Sequence, residues 1–168
     1  MKIIKDIINK KKPTKYFWEL RSGALYSKVK ILRLFYRYKY TKLMNSFGSF
    51  IPLSTDIENC PIFPHELYGI FISQGAKIGN NVTIFHQVTI GSNTLKNSKG
   101  QGAPIIKDNV YIGAGAKIIG AVTIGENVRI GANAVIVKDV PDNCTVVLSE
   151  SRVIFKKEIQ DNTFTEYK

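Results

Sequence analysis

From residue 72 onward the aliphatic positions of this chain recur every sixth residue. That spacing matches neither the alternation of a half-buried strand, with a period of about 2, nor the turn of a helix, about 3.6 residues. Ile72, Ile78, Ile84 and Ile90 form one run, and Ile106, Ile112, Ile118, Ile124, Ile130 and Ile136 form a second. Four positions after each comes a small or β-branched residue: Ala76, Val82, Val88 and Thr94, then Val110, Ala116, Val122, Val128, Ala134 and Val140. Gly79, Gly91, Gly113, Gly125 and Gly131 each follow an Ile directly. Ten hexads of this form exclude chance. They predict a parallel β-helix of short strands stacked coil on coil, with Gly or Asn relieving tight corners.

The segments VTIFHQVTIGS (82–92) and VYIGAGAKIIGAVTIGENVRIGANAVIVKDVP (110–141), with the pair Pro64-His65 before them, resemble the serine acetyltransferase-like O-acetyltransferases of the hexapeptide-repeat superfamily. The resemblance covers residues 51–148 and implies a mainly β fold. It is a left-handed parallel β-helix with three hexads per coil, preceded here by a short α-helical region. The left hand comes from the resemblance, since ordinary parallel crossovers are right-handed. The division of the chain is then a basic helical arm (1–50), the β-helix (51–148) and a carboxy-terminal tail (149–168). The tail, which holds LSESRVI and FKKEIQDNTFTEYK, is expected to pack loosely. Arg152, Val153 and Ile154 match the family's terminal turn, but its Gly and Pro are missing.

With three hexads per coil, residues 18 apart stack, and departures from that spacing mark insertions. Ile90 to Ile106 spans 16 residues, so ten are inserted in a loop over 91–105; Phe63 to Ile72 spans nine, an insertion of three. The loop holds Lys96, Lys99, Gly100 and Gly102 and reads as mobile and positive. Regular solenoids seldom carry long insertions without a use. Treating both insertions as corner bulges stacks the hexads that begin at Phe63, Ile84, Ile112 and Ile130. Two residues into each lie His65, His86, Ala114 and Ala132, one column holding both histidines of the chain above two alanines.

Moving an acetyl group from a thioester to a hydroxyl needs a base for the hydroxyl proton, and imidazole suits this near neutral pH. A slim acyl donor needs a small-walled groove, which Ala114 and Ala132 supply. The resemblance implies acetyl-CoA as donor, bound between adjacent subunits of a homotrimer beneath a protruding loop, with a catalytic His matching His65. His86 is read as an orienting pocket residue and the fallback base. Gly91, through a backbone amide, and Arg129 and Lys138, toward the nucleotide phosphates, complete the candidate donor site. No metal is expected; the zinc carbonic anhydrases built on this fold take three histidines, and the chain has two.

Three departures bear on the acceptor. The family's second His before a Pro is Ala103 here, before Pro104; the Asp preceding the catalytic His is Pro64; and an Asp one coil earlier aligns with Phe50. Glu66, Glu58 and Asp56 are the candidates to orient His65 instead. The expected acceptor is therefore a sugar or surface-polysaccharide hydroxyl, as in capsule synthesis. L-serine, the acceptor of cysteine biosynthesis, is the alternative, and a non-catalytic scaffold is the third reading.

Charge separates the arm from the rest. Residues 1–50 hold thirteen Lys/Arg against Asp6 and Glu19, while residues 51–168 hold eleven basic and eleven acidic residues, so the formal net charge of +11 lies in the arm. Within it, Ser22–Phe47 reads as one amphipathic helix with Leu25, Val29, Leu32 and Tyr36 on its apolar face, capping the open end of the β-helix. Its cations, Lys28, Arg33 and Arg37 among them, also suit an anionic membrane surface. No nucleic-acid motif accompanies the charge. Cys60 and Cys144 have no disulfide or zinc spacing and read as reduced thiols of a cytoplasmic protein, placed at the inner face of the membrane if the arm binds there.

Overall fold

The computed structural model describes residues 13–149 and Phe155. Nearly all of the expected tail, including Arg152, Val153 and Ile154, lies outside the described residues, as does 1–12. Two helices, α1 (Pro13–Tyr26) and α2 (Lys30–Ser46), come first. Strands of two or three residues follow: β1 (Asp56–Ile57), β2 (Phe71–Ile72), β3 (Lys77–Ile78), β4 (Thr83–Ile84), β5 (Thr89–Gly91), β6 (Ile105–Ile106), β7 (Tyr111–Ile112), β8 (Lys117–Ile119), β9 (Thr123–Ile124), β10 (Arg129–Ile130), β11 (Val135–Ile136) and β12 (Thr145–Val146). They form three parallel sheets, ordered β1-β3-β6-β9, β4-β7-β10-β12 and β2-β5-β8-β11, the faces of a left-handed parallel β-helix.

The hexad builds this shape because one aliphatic side chain per strand turns inward. Ile57, Ile78, Ile106 and Ile124 are in register on one face. Ile72, Ile90, Ile118 and Ile136 are in register on a second, and Ile84, Ile112 and Ile130 on the third. Each buried isoleucine contributes about 1.5–3 kcal/mol of hydrophobic stabilisation. Both insertions are absorbed at corners: Ile57 to Ile78 takes 21 residues and Ile78 to Ile106 takes 28, yet the stack keeps its register. The repeat lapses at one small position. Thr94 is exposed in the loop, and buried Pro104, two residues before Ile106, takes the inward place.

One corner is an asparagine column. Asn81, Asn109, Asn127 and Asn143 all have φ of 52–60°. Asn tolerates this left-handed conformation better than most residues. Side-chain amides bridge successive coils there, Asn81 Nδ2 donating to Asn109 Oδ1 (2.8 Å) and Asn127 Nδ2 to Asn143 Oδ1 (3.0 Å).

The helices close the upper end of the core. Phe17 and Leu20 of α1, and Tyr40, Leu43 and Met44 of α2, join one buried cluster with Phe47, Ile51 and Phe63. Buried Arg21 ties the cap to the first coil by donating to the carbonyls of Pro52 (3.0 Å), Leu53 (3.2 Å) and Thr55. The single helix expected over Ser22–Phe47 is instead broken after Tyr26, and its expected apolar face is split: Leu25 and Tyr36 are partly buried, while Val29 is 52% and Leu32 48% exposed. Gly23, inside α1, makes room for the two helices to pack closely. A Cβ there would sit 2.5 Å from the Tyr36 ring, so the glycine lets α2 fold back against α1. Tyr36 therefore meets its neighbour across a turn, and the buried side of α2 is the one bearing Tyr40, Leu43 and Met44.

Candidate functional site

Ile62, Thr83, Tyr111 and Arg129 are paired coil to coil on the β4-β7-β10-β12 face. Three residues after each, at the next corner, come His65, His86, Ala114 and Ala132. The polypeptide turns sharply there, and successive corners are joined by Gly115 N–H to His86 O (3.0 Å) and Asn133 N–H to Ala114 O (2.8 Å). The structure thus places both histidines and both alanines in one column.

The turn that carries His65 is held from above and below. Glu66 adopts φ 59°, and its amide donates to Phe63 O at 3.1 Å. Leu67 and Ile70, in the stretch between Phe63 and Ile72 that the insertion lengthens, are fully buried. Buried Ser49 donates to Leu67 O and accepts from the Ile70 amide at 2.9 Å. Gln87 N–H reaches Tyr68 O at 2.8 Å and locks the turn to the coil beneath. Exposed His65 stands on this base, edge-on to Phe85, with ring centroids 5.0 Å apart; Tyr111 continues the aromatic row 5.1 Å from Phe85.

His65 Nδ1 and His86 Nδ1 are 2.9 Å apart. A hydrogen bond between them needs one N–H and one lone pair, so one ring is the Nδ1-H tautomer and the other the Nε2-H tautomer. The donor ring keeps a lone pair on Nε2, free to take a proton; the acceptor ring presents an Nε2 proton. The pair thus provides one base and one hydrogen-bond donor on adjacent coils. Two of the carboxylates considered as orienters lie elsewhere: Asp56 and Glu58 belong to the β1 side, and Glu58 accepts from Asn80 Nδ2 at 2.5 Å. The imidazole partner of His65 is His86. Sequence reasoning placed these rings in one column but missed this pairing, because a chain without an Asp before His65 gives no signal for it.

Lys117 is a second feature the sequence did not single out. Its Nζ donates to Gln87 O (2.7 Å) and Gly115 O (2.9 Å), fixing a positive charge at the histidine corner. The remaining candidates divide. Arg129 lies exposed on the sheet that leads into the histidine corner. Gly91 ends β5, where its carbonyl accepts from Gly120 N–H (2.9 Å), and Lys138 follows β11; both lie at the far side of the β2-β5-β8-β11 face. Within one chain the structure does not bring them to His65.

The ten-residue loop leaves from that far corner as a hydrogen-bonded hairpin with an exposed tip. Asn93 and Gly102 exchange backbone hydrogen bonds of 2.8 and 2.9 Å. Asn93 Nδ2 donates to Ser98 Oγ (2.7 Å), and its Oδ1 accepts from the Leu95 amide (3.0 Å). The Ala121 amide donates to Gly100 O at 3.0 Å, pinning the hairpin to the next coil. Ala103 lies half-buried on its return.

Two hollows of about 280 and 580 Å³ lie beside α1, lined in part by Trp18 and Arg21 and by Phe35 and Tyr36, away from the histidines. A flat β-helix face makes a groove only when something is laid against it, so the histidine column is open in a single chain. Among the described residues no three His, Cys, Asp or Glu side chains gather to hold a metal. Burial pushes the Cys60 thiol up to about 11, which keeps it protonated near neutral pH and a poor nucleophile.

The bacterial transferase hexapeptide family (six repeats) matches residues 103–138. The serine acetyltransferase of Buchnera aphidicola subsp. Schizaphis graminum is 44% identical over 104 residues, 60% of this chain and 38% of that protein. That of Mycobacterium tuberculosis is 44% identical over 93 residues, 55% of this chain and 40% of its own length. Among solved structures, serine acetyltransferase isoform 3 from Entamoeba histolytica, in complex with cysteine, superposes with a TM-score of 0.70 at 30% identity, covering 90% of this chain and 53% of that one. The Neisseria gonorrhoeae enzyme in complex with serine gives 0.62 at 29% identity, covering 85% and 55%. The chain carries transferase hexapeptide repeats and has serine acetyltransferases as homologues, and it spans less than half the length of these two curated relatives.

Proposed function

We propose that this protein is an acetyl-CoA-dependent O-acetyltransferase in which the His65–His86 pair activates the acceptor hydroxyl. The observation that carries the reading is the 2.9 Å contact between the two Nδ1 atoms, which leaves an Nε2 lone pair on a corner walled by Ala114 and Ala132. That small wall fits a slim thioester chain, and serine acetyltransferase relatives support the same donor. His65, as donor to His86, takes the hydroxyl proton on Nε2 while the acceptor oxygen attacks the thioester carbonyl. The C–S bond breaks, the proton passes from Nε2 to the departing thiolate, and the products are an O-acetyl ester and free CoA. While His65 carries the extra proton, neutral His86 still accepts from its Nδ1-H, so the ring is held through the cycle. Lys117 adds a positive charge at the same corner, favourable to charge developing on the carbonyl oxygen.

A homotrimer would complete the site. The histidine column and the hairpin leave different corners of one three-sided chain, so laying one chain against the next sets the histidines of one beside Gly91, Lys138 and the hairpin of its neighbour. The comparisons favour L-serine over the sugar hydroxyl expected from the sequence, since the relatives reported above are serine acetyltransferases. Two observations weigh against L-serine and keep the sugar hydroxyl as the second reading. Ala103 has no side chain able to grip a polar acceptor, and the hydrogen-bond partner of His65 is an imidazole rather than a carboxylate.

The test is release of free CoA thiol from acetyl-CoA with L-serine, nucleotide sugars and surface polysaccharide offered separately. His65→Ala is expected to lower turnover about 10²-fold or more. His86→Ala should lower it less, and His86→Gln, which keeps an acceptor for the His65 Nδ1 proton, should recover part of the loss. Turnover confined to L-serine settles the acceptor as the amino acid, and turnover confined to a glycan returns it to the sugar. Full activity in His65→Ala removes the base assignment, and silence with every acceptor together with no acetyl-CoA binding leaves the scaffold reading.

A further inference from the structure

Helix α2 is apolar on two opposite sides. At about 100° per residue, Ile31, Leu34, Phe35 and Tyr38 fall on the side away from Tyr40, Leu43 and Met44. The inner side is spent on capping the core; the outer residues are 74%, 56%, 52% and 58% exposed, in the order Ile31, Leu34, Phe35 and Tyr38. Large side chains grouped so openly on one helix face mark an interaction surface rather than ordinary scatter. Lys30, Lys39 and Lys42 flank them at the same 100° spacing, whereas Arg33 and Arg37 fall toward the inner side, and α2 contains no Asp or Glu. Lys39 and Lys42 lie over the rings of Phe35 and Tyr38, 5.5 and 5.1 Å from the centroids, so cations rim the apolar stripe.

We propose that this outer face of α2 is a membrane-binding surface, which lays Ile31, Leu34, Phe35 and Tyr38 into the interface of a bilayer rich in anionic phosphate headgroups. The charge selects the occupant. Two copies of this face brought together would set Lys30, Lys39 and Lys42 against like charge, whereas an anionic lipid surface complements both the apolar stripe and its cationic rim. The surface charge of the β-helix adds no opposing bias, since residues 51–168 carry equal numbers of basic and acidic side chains. The proposal stands apart from the acetyl-transfer reading, because none of these residues belongs to the histidine corner.

The experiment is co-sedimentation of the full-length protein with vesicles of phosphatidylcholine alone and of phosphatidylcholine mixed with phosphatidylglycerol. Binding is expected with the mixed vesicles, weakened by added salt. The double variant Leu34→Ser/Phe35→Ser and the double variant Lys30→Glu/Lys42→Glu should each reduce it about tenfold or more. Both pairs of side chains are exposed, so far-UV circular dichroism and the melting temperature should match the parent. Absence of binding to the mixed vesicles, or parent-like binding by the serine variant, overturns the proposal. So does a fall in sedimentation mass of the serine variant without any vesicle binding by the parent, which would assign the face to a second copy of this chain.

Discussion

Tyr40 carries its hydroxyl to the Ile51 carbonyl (2.6 Å) where α2 meets the first coil, and burial pushes its pKa up to about 12. An unfolded chain releases a tyrosine proton near pH 10, the folded one about two units later. The stabilisation is therefore complete below about pH 10 and is lost as the pH rises through about 12, by up to about 3 kcal/mol. Urea denaturation between neutral pH and the alkaline range should show this fall, and Tyr40→Phe should flatten it while costing about 1 kcal/mol at neutral pH for the unpaired carbonyl. Residues with a local reason for their position were legible in the sequence: asparagines at hexad corners and isoleucines at every sixth place. Tyr40, Arg21 and Ser49 were not, because each satisfies carbonyls brought to it by distant folding. The His65–His86 bond belongs to the same group; the column was legible, but ring orientation follows from the turn built on Leu67 and Ser49.

At the scale of an element, the hairpin over 91–105 and helix α2 show where periodicity stops informing. Six-residue spacing announces where a hairpin must leave the stack, but not its internal bonds, in which Asn93 ties its own corner to Ser98 and the Leu95 amide beside the backbone pair with Gly102. Asn93→Ala should leave the β-helix melting temperature nearly unchanged while tryptic cleavage after Lys96 and Lys99 quickens about tenfold, as local opening becomes easier. Parent-like cleavage would show that the backbone pair with Gly102 suffices. Helix α2 misled for a different reason. A helix with two apolar sides offers several plausible stripes, and the sequence cannot say which one the core takes until Gly23 and Tyr36 are seen in contact.

As a whole molecule, the chain is a stack in which each coil touches only the coils above and below, with a helical cap at one end. Coil number, register and the place of both insertions follow from counting sixes, so the scaffold was the most legible level. The corner holding the histidines and the corner holding the hairpin are a full face apart. If catalysis draws on both, it is a property of neighbours rather than of the individual chain, and the genetics should say so. A chain lacking the base and a chain with its hairpin cut short would each be inert alone. Co-expressed in equal amounts and assembled at random into a ring of three, they should rescue one another, because about one junction in four pairs an intact histidine corner with an intact hairpin. Thiol release near that fraction of the parental rate would mark a shared catalytic unit; none would mean that each chain keeps its chemistry to itself.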